Sequence, residues 1–206
     1  MPQYELNPPL NEADLLPDPL AQFERWLADA GGAGLVEPTA MGLATVSADG
    51  RPSLRIVLFK GLYEGGFCFY TNYESRKGED LAARPYAALT FWWDRLERQV
   101  RVEGRVGRVP PELSERYFHV RPRGSQIGSY TSRQSRVVAS RDELDARIAA
   151  TDRRFEGQEV PLPAHWGGYC VIPDHVEFWQ GRTDRVHDRL RYVRDGGGWR
   201  IERLEP

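Results

Sequence analysis

The sequence contains few cysteines: Cys68 and Cys170 are the only two among 206 residues. Two cysteines are too few for the disulfide framework of a small secreted domain, and neither lies beside other candidate metal ligands. Four histidines are scattered along the chain without the spacing of a zinc site. We therefore expect no metal centre, and a reducing cytoplasm is the simplest location.

Long hydrophobic runs are also missing, since no stretch of about 18 apolar residues occurs. The opening residues, MPQYELNPPLNEADLLPDP, have neither the basic start nor the apolar stretch of a signal peptide. We expect no membrane span. The glycine-rich loops of dinucleotide and nucleoside triphosphate sites are absent, as is any recognisable Ser-His-Asp or Cys-His arrangement. If the chain is an enzyme, a bound cofactor should carry the difficult chemistry.

Charge is unevenly distributed, although the formal net charge is only −2. Residues 1–50 hold one basic and eight acidic side chains, a net charge of −7, which leaves +5 for residues 51–206. The basic excess therefore lies in the body of the protein, where a small anionic ligand could bind. A nucleic-acid-binding module fits poorly, because such domains usually carry a stronger basic footprint.

Hydrophobic periodicity predicts a single domain, residues 1–206, in which strands alternate with short helices. Predicted helices cover 18–30, 75–85, 110–120 and 140–155, and predicted strands cover 66–72, 87–93, 98–109, 168–173, 175–181, 189–194 and 199–204, with a hairpin over 41–61. Asp18, Ser75 and Ser140 are candidate helix caps, and Asp49-Gly50 is a hairpin turn. This order of elements predicts a mainly β (α+β) fold, a mostly antiparallel barrel with peripheral helices.

The closing segment, RTDRVHDRLRY, places Arg185, His187 and Arg189 two residues apart. On an extended strand, side chains at this spacing project from one face. Like charges on one face repel each other unless solvent or an anion compensates them. The pattern thus raises the question of an anionic ligand.

Basic residues also occur at the predicted start of the 75–85 helix and around a buried strand. Arg76 and Lys77 lie in the first helical turn, where the macrodipole favours a negative ligand such as phosphate. Arg55 and Lys60 bracket four apolar residues. Each of these cations has an alternative interpretation as a solvated surface charge whose stem merely extends to water.

Further candidates are polar or aromatic. Tyr117, Arg121 and Ser125 supply the donors that suit a phosphate dianion, although an exposed basic turn is the alternative. Pro122 disfavours helix at Arg121, so we expect the three at a helix exit. The remaining candidates are Gln134 and Ser135 in a polar loop, Gln99, whose amide could read a heterocycle edge, and Trp179, which could stack on a ring or belong to the core.

Nine segments together resemble the pyridoxine/pyridoxamine 5′-phosphate oxidase family, whose members are flavoproteins. They are RIVLFKG, FYTNYESRKG, LERQVRVEG, YFHVRPRGSQIG, SRQS, VPLPAHWGGY, VEFWQGR, RVHDRLRY and WRIERLEP, and they extend in the family's order from about Asp18 to Pro206. Val186 replaces a common leucine, and the N-terminus lacks an arginine-rich lead. Tyr4 matches a substrate-covering tyrosine only in an uncertain register, so it is not among the expected site residues.

The resemblance implies a homodimeric split barrel that binds FMN at the subunit interface, with residues 1–17 as an N-terminal arm and 160–206 as a dimerisation and substrate segment. The implied FMN contacts are Arg55, Ile56, Val57, Leu58, Lys60, Tyr70, Thr71, Arg76, Lys77, Gln99, Gln134, Ser135, Trp179 and Arg189, some from the partner subunit. The implied substrate contacts are Lys60, Tyr117, Arg121, Ser125, Arg185 and His187.

The implied activity is oxidation of pyridoxamine or pyridoxine 5′-phosphate to pyridoxal 5′-phosphate by hydride transfer to FMN. Dioxygen would reoxidise the flavin and give hydrogen peroxide. Arg185 and then His187 are the expected catalytic residues. Two other functions stay open: a related split-barrel flavin or deazaflavin reductase, which the Tyr117, Arg121 and Ser125 set argues against, and a non-catalytic protein that binds FMN or pyridoxal phosphate.

Overall fold

The structure is a computed structural model that describes residues 4–206, and over this range it contains five α-helices and nine β-strands. The helices are α1 (Pro19–Gly32), α2 (Arg76–Ala83), α3 (Pro111–His119), α4 (Arg123–Thr131) and α5 (Arg141–Arg154). The strands are β1 (Ala40–Val46), β2 (Pro52–Leu58), β3 (Leu62–Tyr63), β4 (Gly66–Asn72), β5 (Tyr86–Trp93), β6 (Arg98–Arg108), β7 (Trp166–Gln180), β8 (Asp188–Asp195) and β9 (Gly198–Arg203).

The strands form one antiparallel sheet in the order β2-β1-β5-β6-β7-β4-β3, to which β8 and β9 are added beside β7. The chain leaving β2 returns to β4, where Lys60 N–H donates to Cys68 O at 2.8 Å and Cys68 N–H donates to Gly61 O at 3.0 Å. Residues 59–61 thus connect β2 at one end of the sheet directly to the β3–β4 pair at the other end. The predicted barrel with peripheral helices is therefore confirmed, and Lys60 lies at the joint.

Helix α1 packs against the hydrophobic core of the barrel. Its start follows from local chemistry, because the Asp18 carboxylate accepts the Leu20 N–H and Pro19 occupies the first turn. Phe23 and Trp26 are almost fully buried on the face turned to the strands. The Phe23 ring packs 4.8–5.2 Å from the rings of Phe59, Phe67 and Phe91. Burying such aromatic rings supplies much of the apolar stabilisation of the core.

The structure differs from the sequence prediction at three elements. Helix α4 and the short strand β3 were not predicted, and the two strands predicted at 168–173 and 175–181 are a single strand, β7. Pro173 suggested a break. Pro173 is tolerated inside β7 because, on the side away from β6, the strand changes partner there. It pairs with β4 up to Val171 and with β8 from His175. No hydrogen bond of the ladder therefore requires an N–H at Pro173.

Cys68 and Cys170 form a disulfide across β4 and β7, which was not predicted from the sequence. The antiparallel register places the two residues directly opposite each other, with their Cα atoms 4.1 Å apart, although 102 positions separate them in sequence. Both are buried beside Val109. Pairing of this kind depends on strand register, which the count of cysteines does not reveal.

Membrane-spanning and metal-binding features are both absent from residues 4–206. No helix in this part of the chain is both long and apolar enough to span a bilayer. The same residues contain no group of three or more His, Cys, Asp or Glu side chains that could hold a metal ion.

Gly104 lies at an irregularity in the pairing of β6 with β7. A Cβ atom there would lie 1.9 Å from Ile172 O and 2.8 Å from Pro173 Cα, and both are backbone atoms that cannot rotate away. We expect Gly104→Ala to lower the free energy of unfolding by about 1–3 kcal/mol, the usual range for overpacking. Urea unfolding followed by circular dichroism measures this.

Gly107→Ala is the matched control, because Gly107 lies in the same strand and a Cβ added there would meet no atom within 4 Å. Its urea midpoint should stay close to that of the parent protein. Equal midpoints for the two variants would contradict the proposed clash.

Candidate functional site

A cavity of about 400 Å³, here called the basic cavity, opens where β2, β4, α2 and α3 meet. It is lined by Arg55, Ile56, Val57, Leu58, Lys60, Tyr70, Thr71, Lys77, Tyr117, Arg121, Ser129, Gln134 and Trp166. Four of these side chains are cationic, and none of the lining residues that the structure describes is acidic. Such an excess of positive charge favours an anionic ligand.

Lys77 is the most deeply buried cation of the basic cavity, with 8% of its surface exposed. Its Nζ donates to Thr71 Oγ1 at 3.1 Å, to Ser75 Oγ at 3.3 Å and to Gln134 Oε1 at 2.8 Å, all uncharged oxygens. Burial, and secondly the charge of Arg55, lower the Lys77 pKa to about 8. An anion beside Nζ would offset both effects.

The start of α2 holds Lys77 in place. Ser75 caps the helix by accepting the Gly78 N–H, and a Cβ at Gly78 would lie 2.0 Å from Tyr73 O. Only glycine allows the helix to begin so close to the end of β4. The first turn of α2 therefore lies beside the basic cavity through Lys77, and the start of a helix suits a phosphate.

The Arg55 guanidinium makes its contacts with the barrel wall. Its Nη1 donates to Leu43 O at 3.0 Å and to Thr45 Oγ1 at 2.7 Å, and its Nη2 lies 3.8 Å from the Asp80 carboxylate. Burial lowers the pKa of Arg55, while Asp80 opposes that effect. Thr45 also donates to Asp80 at 2.6 Å, so Arg55 links β2 to β1 and α2.

Three stacked aromatic rings form one wall of the basic cavity. The Tyr70 ring lies 4.1 Å from Tyr117 and 5.6 Å from Trp166. The Arg121 guanidinium stacks 4.6 Å from the Trp166 ring, and its Nη2 donates to Ser129 Oγ at 2.9 Å. Its Nη1 is buried and has no hydrogen-bond partner among residues 4–206. A buried donor of this kind is costly unless a ligand accepts from it.

Ser125 lines a neighbouring cavity of about 290 Å³, which shares Arg121, Ser129, Gln134 and Trp166 with the basic cavity. The expected trio of Tyr117, Arg121 and Ser125 therefore gathers where α3 ends and α4 begins. Helix α3 ends at His119 and Pro122 precedes α4, so the expected helix exit before Pro122 is present.

The other expected residues lie elsewhere in the chain. Gln99, Trp179 and Arg189 are neighbours in register across β6, β7 and β8, and Arg185 and His187 lie in and beside the loop before β8. None of these five described side chains lines the basic cavity. The expected site residues of one chain therefore fall into two groups. The second group, here called the sheet-face group, consists of Gln99, Trp179, Arg185, His187 and Arg189.

His187 packs against Trp179, with ring centroids 4.6 Å apart. The Arg182 N–H donates to His187 Nδ1 at 3.2 Å, so the neutral ring carries its proton on Nε2. Burial, and then the charge of Arg185, lower the pKa of His187, while Asp188 opposes them. Arg185 has a left-handed backbone with φ of 64°, as does Asp184 with φ of 55°, which is uncommon for residues with a Cβ.

Two further expected cofactor residues, Arg76 and Ser135, also do not line the basic cavity. Arg76 is exposed at the start of α2, close enough to affect the Arg55 pKa, and Ser135 follows Gln134 with a left-handed φ of 72°.

Ser129, Trp166 and Tyr4 were not expected. Ser129 follows Ser125 by one helical turn, and Trp166 lies within the quoted segment VPLPAHWGGY, so both had a local signal. Tyr4 lies 5.6 Å from the rings of Trp179 and His187.

The sequence matches two family models that together cover most of the chain. The model described as "Pyridoxamine 5′-phosphate oxidase" matches residues 28–154, and the "Pyridoxine 5′-phosphate oxidase C-terminal dimerisation region" matches residues 166–206. The pyridoxine/pyridoxamine 5′-phosphate oxidase of Burkholderia multivorans is 60% identical over 200 residues, which are 96% of this chain and 93% of the relative. That of Rubrobacter xylanophilus is 58% identical over 190 residues, covering 92% and 88% of the two chains.

Solved structures agree with the sequence matches. PhzG from Burkholderia lata 383, solved in complex with tetrahydrophenazine-1-carboxylic acid, superposes with a TM-score of 0.89 at 32% identity over 94% of this chain and 95% of its own. An FMN-binding protein of Nostoc punctiforme, related to pyridoxamine 5′-phosphate oxidase, shares the fold with a TM-score of 0.73 at 19% identity, over 91% and 99% of the chains. With two family models and relatives of this similarity, the chain belongs to the pyridoxamine 5′-phosphate oxidase family.

Proposed function

We propose that this protein oxidises pyridoxamine 5′-phosphate and pyridoxine 5′-phosphate to pyridoxal 5′-phosphate with FMN as cofactor and dioxygen as electron acceptor. Family membership supports the reaction class. The observation that carries the proposal is the buried Lys77, whose three partners are uncharged, in a cavity without acidic lining residues among those described. Such a site suits a phosphorylated ligand.

The residues of the basic cavity fit FMN and a phosphorylated substrate. Lys77, the free N–H groups of α2 and the nearby Arg76 would hold the FMN phosphate. Arg121, with its unpartnered Nη1, would hold the substrate phosphate together with Tyr117, Ser125 and Lys60. Arg55, Ile56, Val57, Leu58, Tyr70, Thr71, Gln134 and Ser135 would complete this half of the site.

The sheet-face group would come from a second copy of the chain. Residues 166–206 match a dimerisation region, and the outward side chains of β2 include Leu54 and Ile56, which are 68% and 69% exposed. Apolar side chains this exposed on a sheet favour burial against a partner. A homodimer would then place Gln99, Trp179 and Arg189 of one chain at the FMN bound by the other.

When bound, FMN would supply the redox chemistry by accepting a hydride from the substrate and passing the electrons to dioxygen. The chain's own residues would position the substrate and hold charge. Arg185, whose backbone is in the left-handed region, would bring a guanidinium to the substrate. His187 would act second, with its proton on Nε2 because Nδ1 accepts from Arg182. Alignment of two reactants can supply much of a rate enhancement.

The remaining expectations fit the same proposal. Residues 1–206 would be one domain whose N-terminal arm lies near the site, since Tyr4 packs on Trp179 and His187. The protein would act in the cytoplasm, a compartment in which a disulfide such as Cys68–Cys170 is unusual. An activity on a tricyclic carboxylic acid, suggested by the PhzG complex, would leave the Tyr117, Arg121 and Ser125 donors without a phosphate.

The purified protein should be yellow, and its flavin absorbance should bleach when pyridoxamine 5′-phosphate is added without oxygen. Readmitted oxygen should restore the colour and release hydrogen peroxide. Tetrahydrophenazine-1-carboxylic acid serves as the comparison substrate. Bleaching by that acid but not by the phosphorylated amine would overturn the proposed substrate, and failure to bind FMN at all would overturn the proposed cofactor.

FMN affinity should decrease with rising pH because of Lys77. Below its pKa of about 8 the amine is charged and holds the phosphate, and above it the unliganded protein must take up a proton to bind. Affinity should therefore fall by up to about tenfold per pH unit between about pH 8 and about pH 9. Fluorescence titration of the apoprotein measures this.

Lys77→Met should bind FMN about 10- to 100-fold more weakly at about pH 7. If FMN affinity still fell with rising pH in this variant, the pH dependence could not be assigned to Lys77.

Arg185→Ala should lower kcat/KM for pyridoxamine 5′-phosphate by about 10²-fold or more, because a cation that stabilises developing charge is lost. The dissociation constant for FMN should stay within about twofold of the parent value, since Arg185 is expected at the substrate. Arg194→Ala, which removes an arginine stacked 4.2 Å from Trp199 outside both groups of site residues, is the control. Steady-state oxygen consumption and FMN titration measure the two effects, and unchanged turnover in Arg185→Ala would exclude the role.

A further inference from the structure

Glu177 is a buried carboxylate next to the sheet-face group. It lies on β7, where the register places Arg101 of β6 and Arg191 of β8 directly beside it, two residues before Trp179. Its side chain is only 8% exposed. Burying a carboxylate is costly unless it is paired and fully hydrogen-bonded, so its partners indicate why it is there.

Arg189 is the principal partner of Glu177. Arg189 Nε donates to Glu177 Oε1 at 2.7 Å and Nη2 donates to Oε2 at 3.1 Å. This bidentate contact fixes the plane of the guanidinium. Hydrogen bonding to Glu177 raises the Arg189 pKa above its ordinary value. Arg101 Nη1 also donates to Oε2, at 3.2 Å. Both carboxylate oxygens are thereby satisfied.

Arg189 retains donors for a ligand in this arrangement. Its Nη1 donates to Glu205 O at 3.0 Å, which leaves one N–H on Nη1 and one on Nη2 beyond these contacts. Arg189 pairs in register with Trp179, which in turn pairs with Gln99. A free arginine side chain would lose conformational entropy on binding, whereas one already fixed by Glu177 would lose little.

We infer that Glu177 is a positioning residue that holds the Arg189 guanidinium in the orientation in which it meets the flavin. This inference rests on the proposed function, because it takes Arg189 as an FMN contact. Glu177 touches neither ligand; it acts through Arg189. The role differs from plain sheet stabilisation, since its effect on FMN should vanish when Arg189 is absent.

A double-mutant cycle on FMN affinity tests the inference. The apoproteins of the parent, Glu177→Gln, Arg189→Ala and the double variant are titrated with FMN by fluorescence quenching. We expect Glu177→Gln to weaken binding about 3- to 10-fold, the cost of ordering one long side chain. Arg189→Ala should weaken it at least as much. The double variant should bind no more weakly than Arg189→Ala alone.

Glu202→Gln is the matched control, because Glu202 accepts from Arg191 and Arg200 on the neighbouring strand pair β8–β9 but not from Arg189. It should leave the FMN dissociation constant unchanged. Urea midpoints of all variants show whether each is folded at the titration conditions.

The outcomes separate this inference from the function on which it rests. Losses that multiply in the double variant, or an Arg189→Ala variant that binds FMN like the parent, would overturn the role of Glu177 while leaving FMN binding intact. A parent protein that does not bind FMN would overturn both. A loss in Glu177→Gln that disappears in the Arg189→Ala background supports the inference.

Discussion

The site depends on one constraint: Lys77 is a cation buried among uncharged oxygens. Its burial lowers its pKa to about 8, so the fold holds an amine whose charged form gains from an anion. The position is set by backbone geometry, because Ser75 caps α2 and Gly78 lets that helix start against Tyr73. A phosphorylated ligand would offset the free-energy cost that burial places on the charged amine.

Buried charge is arranged differently in the basic cavity and in the sheet-face group. In the basic cavity, Lys77 donates only to uncharged oxygens, and Arg121 Nη1 has no hydrogen-bond partner within residues 4–206. In the sheet-face group, Arg189 is already paired with Glu177. The basic cavity is thus suited to attract an anion, whereas the sheet-face group would orient a ring system through directed hydrogen-bond donors and the Trp179 ring.

Local chemistry explains which elements were predictable. The caps at Asp18, Ser75 and Ser140 are sequence-local and start α1, α2 and α5 where the sequence placed them. Helix α4 was missed because Gly124 and Gly128 lower its intrinsic propensity. What stabilises it is tertiary: buried Ile127 packs in a cluster with Phe118 and Trp166. The Cys68–Cys170 pair depends likewise on strand register, which no local pattern encodes.

The proposed site rests on family resemblance more than on residue spacing. Spacing alone left Arg76, Lys77, Arg55 and Lys60 open between ligand contact and solvated charge, because the two differ only in tertiary burial. The structure separates them: Lys77 is buried, while Arg76 and Lys60 are exposed. Exposure of Lys60 at the barrel joint leaves it free to approach a ligand, whereas Arg55 is held by β1. Arg55 therefore shapes the cavity wall through its hydrogen bonds, and under the proposed function Lys60, Lys77 and Arg121 would supply the positive charge for a phosphate.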